Sequence, residues 1–300
     1  MISSSNAWRW LRPLLLAVAS GVATLAMWRV FVATGRGQLL DTLSYLGAEI
    51  GSGHVAGRLQ SVLETVSVGA IALVMLAVAM VSVLRGRWVL ALEAAAVVAC
   101  ANLSTRVLKY HLLERPLLLD YRGITNNSFP SGHTTAAASA MVAALLVAPR
   151  RLRTPVAIAG AVVMMLFGYG TLAAHWHRPS DVVGGYLVCF AWAFGALFVG
   201  AVRQRLLGRR IFGEEGPAHA SRPSRLAPGL LVAAGVLALG VAAVCGLLTM
   251  RIDNVFTQDF SALFIAYLGG AAGICGVAAA GMGVLLRLVQ LQDARQDELI

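Results

Sequence analysis

The sequence predicts an all-α fold, a polytopic transmembrane helical bundle of eight spans: a six-helix core followed by two extra C-terminal spans. Three observations carry this. Apolar residues make up 58% of the 300 positions and charged residues only 13%. With a mean hydropathy of +0.76, polar side chains are too few to cover a water-exposed globule. Apolar segments recur at close to the roughly 20 residues that cross a hydrocarbon core of about 30 Å. Arginines cluster in alternate connections between those segments, as the positive-inside rule requires. The ten-residue alternation of a strand barrel is not found, and helices are the remaining way to satisfy every backbone group in lipid.

The first segment, 11–33, follows Arg9 and Arg12. A cleaved signal peptide is the alternative, with Ala17, Ala19 and Gly21 as cleavage context, but the apolar run continues to Thr34, too long for a typical signal core. Residues 35–62 form a glycine-punctuated segment with mildly amphipathic stretches at 39–46 and 55–63, which predicts a short helix on the membrane surface. Further spans are predicted at 63–84, 88–108, 131–149, 155–175 and 181–202. Glu64 and Glu93 lie near span ends and are read as snorkelling to the interface. A Pro- and charge-rich linker, 204–227, precedes the spans at 228–250 and 262–286, and 288–300 reads as a polar tail at the cytoplasmic surface. The division is thus a core at 1–203, the linker, two added helices within 228–287, and the tail.

Cys100, Cys189, Cys245 and Cys275 all fall within predicted spans and read as small apolar residues. No metal-ligand spacing exists, and no cofactor is expected. The net charge of +10 does not imply nucleic acid, because most arginines, from Arg9 and Arg12 through Arg85, Arg150 and Arg203 to Arg287, fall on one side of the eight-span arrangement. Both termini are then cytoplasmic. The connections after the first, third, fifth and seventh spans face outward, and the expected location is a bacterial plasma membrane, among membrane lipids.

One outward connection departs from the charge rule. Arg106, Lys109, Arg115 and Arg122 lie within seventeen residues, and Lys109 is the chain's one lysine. Cations on a translocated loop call for an anionic partner, unless they cluster by chance. The same connection ends in Pro130-Ser131-Gly132-His133 at the start of a span. That places the Ser131 and Gly132 amides at a helix N-terminus, an anion-binding position; as a bare tripeptide it is also an ordinary helix-start signal. The next outward connection reads Ala174-His175-Trp176-His177-Arg178-Pro179-Ser180-Asp181. Asp181 can fold back onto His177 and fix its tautomer, which leaves the other ring nitrogen free to attack. Either histidine alone would be an interfacial residue beside Trp176. Together the three helix ends supply a phosphate clamp, an acid and a nucleophile.

These residues resemble the type 2 phosphatidic acid phosphatase superfamily, whose signatures are Lys-x6-Arg-Pro, Pro-Ser-Gly-His and Ser-Arg-x5-His-x3-Asp. The sequence shows Lys109 with Arg115-Pro116, the complete Pro130 to His133 motif, and His177 with Asp181, in the family's order. Two departures stand out. Lys109 is one residue closer to Arg115 than the signature demands, and Gly170-Thr171 replaces Ser-Arg. The resemblance implies a metal-independent hydrolase. His177 attacks phosphorus, Asp181 orients it, and His133 protonates the leaving oxygen. Lys109, Arg115, Ser131 and Gly132 hold the phosphate, with Arg178 or Arg122 replacing the charge missing at Thr171. Lipid phosphates are the expected substrates, and the cations Arg106, Arg122 and Arg178 favour a polyprenyl diphosphate. The second reading is a degenerate member acting as a lipid transporter or membrane interaction protein.

Overall fold

The computed structural model describes residues 4–52, 88–119, 126–207, 225–253, 255–257 and 259–297, with the isolated positions 76, 80 and 86. Among them are eight α-helices and no strand. Helix α1 spans Ser4–Met27 and runs into a π turn at Trp28–Val32. Then come α2 at Gly35–Ser52, α3 at Trp88–Val107 with a π turn at Leu108–Leu112, and α4 at Gly132–Val147. Helices α5 at Arg153–Ala173, α6 at Pro179–Leu207, α7 at Leu226–Thr249 and α8 at Phe260–Asp297 complete the order.

Among the described residues, six helical segments are long and apolar enough to cross a bilayer: Leu11–Val32, Trp88–Leu112, Arg150–Ala173, Pro179–Arg203, Leu226–Thr249 and Phe260–Asp293. The chain is an integral membrane helical bundle. The predicted span at 63–84, with Glu64, lies outside the described residues apart from positions 76 and 80, as does most of the 204–227 linker. At 16 residues, α4 is shorter than a full span. Small side chains, Ala137, Ala138, Ala140 and Ala143, bury it between α3, α5 and α6. The core gathers around Met164, Tyr186, Phe190, Ile274, Met282 and Leu285. The four cysteines are free thiols, with Cys189 and Cys245 buried.

Two elements differ from expectation. Helix α2 does not lie on the surface: Leu39, Asp41, Thr42, Leu43, Ser44 and Ala48 are buried, and the helix packs against α8. Asp41 is matched inside the protein by Ser180 rather than by water, which a hydropathy pattern cannot distinguish. The 288–300 segment is helical as far as Asp297, because its polar groups bond to the bundle. Gln292 donates to the Leu197 carbonyl at 2.9 Å, and Asp293 accepts an ion pair from Arg153, with Arg150 beside it at 3.8 Å. Glu93, read as a snorkelling acid, pairs with Arg203 at 2.7 Å and joins α3 to α6.

Arg153 is 2% exposed, and its Nε also donates to the Ala148 carbonyl. Asp293→Ala strips the buried guanidinium of its carboxylate, which costs about 3–5 kcal/mol in comparable buried pairs. The expected result is a markedly lower unfolding temperature in detergent, whereas Asp253→Ala, which breaks the exposed Arg36–Asp253 pair, changes stability by about 1 kcal/mol or less.

Candidate active site

The site is assembled where α3, α4, α5 and α6 end or begin. Helix α5 stops at Ala173, and His175 takes the left-handed conformation at φ 57°. The amides of Trp176 and His177 then both donate to the Thr171 carbonyl. A left-handed residue after the last helical turn closes a helix in this way, a position usually given to glycine. Tyr45 of α2 supports it: its hydroxyl donates to the His175 carbonyl at 2.9 Å, and its ring meets the imidazole edge-on at 4.7 Å. This reversal aims His177, 6% exposed, into the protein.

Helix α6 opens with Pro179 at its first position, where a missing N–H costs nothing. Asp181 at the third position accepts from the Arg178 amide at 2.9 Å, the back-reaching half of a capping box. The same Oδ2 accepts from the Ser128 hydroxyl at 2.6 Å and lies 3.6 Å from His177 Nδ1, just beyond hydrogen-bond length. On the far side of the ring, His177 Nε2 is 3.4 Å from His133 Nδ1. The structure therefore brings together the three residues predicted for chemistry, in the order Asp181, His177, His133. Trp176 lies 5.3 Å from the His133 ring.

Helix α4 is docked on α6 by backbone. The Ser131 amide donates to the Asp181 carbonyl at 2.9 Å, and the Ser131 hydroxyl caps α4 by accepting from the Thr134 amide. Ser131 thus spends both donor and acceptor on the fold. That corrects the expectation that its amide faces an anion, and leaves the amides of Gly132 and His133 in the open first turn. Close approach depends on Gly185: a Cβ there would lie 2.8 Å from Thr134 Oγ1, 2.9 Å from Thr135 Oγ1 and 3.0 Å from the Ser131 carbonyl oxygen.

The cations divide into two groups. Arg115 sits in the extended stretch after α3, whose carbonyls are pinned from several sides. Trp28 Nε1 donates to Glu114, Gln38 Nε2 to Pro116, and Asn127 Nδ2 to Leu113. Both Arg115 terminal nitrogens are buried and have no hydrogen-bond partner among the described residues. Burial, then the neighbouring Arg178 charge, lowers its affinity for the proton. Arg178 is 3% exposed, donates to Ser128 Oγ at 3.4 Å and lies over the Tyr45 ring at 5.8 Å. Lys109 is half-buried in the π turn, its ammonium 5.5 Å from the Tyr110 ring. Arg106 is exposed on α3, and Arg122 lies outside the described residues. Thr171 is fully buried with its hydroxyl turned back onto the Gly168 carbonyl, so it takes no part in the pocket. Among the described residues no cluster of three metal-ligating side chains occurs.

One site residue is missed by sequence reasoning. Asp41 of α2 accepts from the Ser180 amide at 3.0 Å and the Ser180 hydroxyl at 2.6 Å, and so caps α6 from another helix. Burial, with the Asp181 carboxylate nearby, pushes its carboxyl up to about 6, against Arg115, Arg178 and Ser180, which pull it down. An acid set among Leu39, Leu40 and Leu43 is the available signal.

A folded-state value above the ordinary carboxylate range means that the folded protein holds a proton which the unfolded chain has lost, between roughly pH 4 and pH 6. This contribution to stability is complete below that window and lost as pH rises through it. Asp41→Asn keeps an acceptor for the Ser180 amide but does not titrate. The unfolding temperature of the wild type should therefore fall relative to Asp41→Asn from about pH 4 to pH 7; parallel curves would refute the assignment. Gly185→Ala should destabilise by about 1–3 kcal/mol through overpacking at the α4–α6 contact, read by thermal unfolding.

Residues 71–205 match the family model of the PAP2 superfamily, and that stretch contains Lys109, Arg115, His133, His177 and Asp181. No curated protein and no solved structure gives a match to the chain. The matched stretch, the all-helical membrane bundle and the convergence of His133, His177 and Asp181 agree: the stretch 71–205 belongs to the PAP2 superfamily, whose members are phosphatases.

Proposed function

We propose that the protein hydrolyses a lipid phosphate or diphosphate at the outer leaflet, without metal, through a phosphohistidine on His177. The observation that carries this reading is the alignment of His177 between Asp181 and His133 beside an arginine whose two terminal nitrogens are buried without partners. With Nδ1 facing Asp181, His177 Nε2 is the nucleophile, and its attack forms the N–P bond as the P–O bond to the lipid breaks. An alkoxide is a poor leaving group and takes a proton as it departs; His133 supplies it. Water then attacks phosphorus, His133 takes the water's proton, and phosphate leaves as the N–P bond breaks.

Charge on the nonbridging oxygens rises during both steps, and desolvated donors fixed in advance stabilise it best. Arg115 fits that role, with the Gly132 and His133 amides at the α4 N-terminus as further donors and Lys109 at the edge. Arg178 takes the place of the guanidinium absent at Thr171, since it reaches the same Ser128 hydroxyl that bonds Asp181. A diphosphate calls for more positive charge than a monoester. Arg106 and Arg122, further cations of the connection that carries Arg115, favour that substrate, a polyprenyl diphosphate, over phosphatidic acid. The outward orientation follows from the arginine distribution.

Purified protein should release phosphate from a polyprenyl diphosphate or phosphatidic acid and retain activity in chelator. His177→Ala should abolish release. Arg115→Ala and Arg178→Ala should each lower kcat/KM by about 100-fold, as loss of one transition-state donor does. An active His177→Ala enzyme would sink the nucleophile, and an unaffected Arg178→Ala enzyme would sink the replacement clamp.

A further inference from the structure

A cavity of about 500 Å³ lies beside the site and is not used by the chemistry above. It is within the size range of small-molecule binding sites. Its walls come from the end of α1, the middle of α2, the start of α6, the second half of α7 and the first half of α8. The start of α6 also carries Asp181 and follows directly on His177, so the cavity sits at the level of the site. Without α7 and α8 it would have no outer wall. Helices α7 and α8 can leave this space because their facing residues are small, among them Ala242, Gly246 and Gly273.

The lining is apolar except at a few points, three of which form one corner: Asp41, Ser44 and Ser180. Asp41 and Ser180 bond to each other. Ser44 is 3% exposed, and its hydroxyl has no hydrogen-bond partner among the described residues. A buried hydroxyl left so carries a desolvation cost that a ligand oxygen would relieve. Asp41 is also the residue whose carboxyl interacts electrostatically with Arg115, Arg178 and Asp181. The corner is therefore the wall shared by the cavity and the phosphate pocket.

We infer that the cavity receives the hydrocarbon chain of the lipid phosphate, which enters past the Asp41–Ser180 corner and meets the Ser44 hydroxyl at its first polar link. This rests on the phosphatase reading and gives the two C-terminal helices a function of their own, since they read the chain of the substrate whose phosphate the core cleaves. A chain held there adds binding energy remote from the reacting bond.

The test fills the cavity. A Cβ on Gly246 meets no atom within 4 Å, and one on Gly273 meets only Ala242 Cβ, at 3.7 Å, so a leucine at either position can grow into the space. Wild-type enzyme should prefer hexadecyl phosphate to butyl phosphate in kcat/KM. In Gly246→Leu and Gly273→Leu that preference should shrink by about tenfold, mainly through KM. An unchanged ratio in both variants overturns the proposal.

A second measurement does not need turnover. A hexadecyl phosphonate with a terminal diazirine, photolysed on His177→Ala protein, should label peptides of α7 and α8, less so when Gly273→Leu is added. Unlabelled hexadecyl phosphonate should compete, and diacylglycerol should not. Equal competition by diacylglycerol assigns the space to bulk lipid and overturns the inference. Labelling without phosphate release from any lipid would leave the chain site standing and remove the phosphatase reading. Release without labelling would do the reverse.

Discussion

Asp181 is the point on which the site end of the bundle depends. Its Oδ2 takes the Arg178 amide and the Ser128 hydroxyl and faces His177 Nδ1, while its backbone carbonyl takes the Ser131 amide. One residue thereby fixes the start of α6, the stretch before α4 and the orientation of the histidine. A fully buried carboxylate is tolerated only where donors surround it, and here those donors are the parts that have to be held in register. Removing the charge would free several elements together.

A second acid, Asp41, repeats the arrangement one layer further in. It caps α6 through Ser180 and stands beside Arg115 and Arg178. The two carboxylates and two guanidiniums form a compact buried cluster in which no charge is isolated. Among the described residues Arg115 still has no hydrogen-bonding partner at its ends, so its donors are left unused by the fold. The preorganisation that makes such a donor effective comes from Trp28, Gln38 and Asn127, which hold its backbone.

The opposite end of the bundle carries a different kind of charge. Arg150 and Arg153 meet Asp293, and Arg203 meets Glu93. These pairs tie α5 to α8 and α3 to α6 far from the chemistry. Arginines that contribute to the charge asymmetry of the sequence also join helices by geometry.

The helical membrane fold class and the convergence of His133, His177 and Asp181 were legible because each rests on a local pattern. Apolar runs of the right length, a serine and glycine at a helix start, and a histidine four residues before an aspartate are all readable in one dimension. The burial of α2, the helical tail to Asp297 and the role of Asp41 were not, because each depends on what lies across from a residue. Asp41 acts through Ser180, 139 positions away. Ser131 reads as an anion ligand from its place at a helix start, yet its amide is taken by a carbonyl that only packing brings near. The sequence by itself determined a membrane-spanning helical bundle with His133, His177 and Asp181 at the ends of helices on one face, since hydrophobic length and charge distribution dictate topology. Only the tertiary structure decided which cation keeps its donors free, which acid caps α6, and where the added helices leave space, since burial and pairing are properties of contacts between segments distant along the chain.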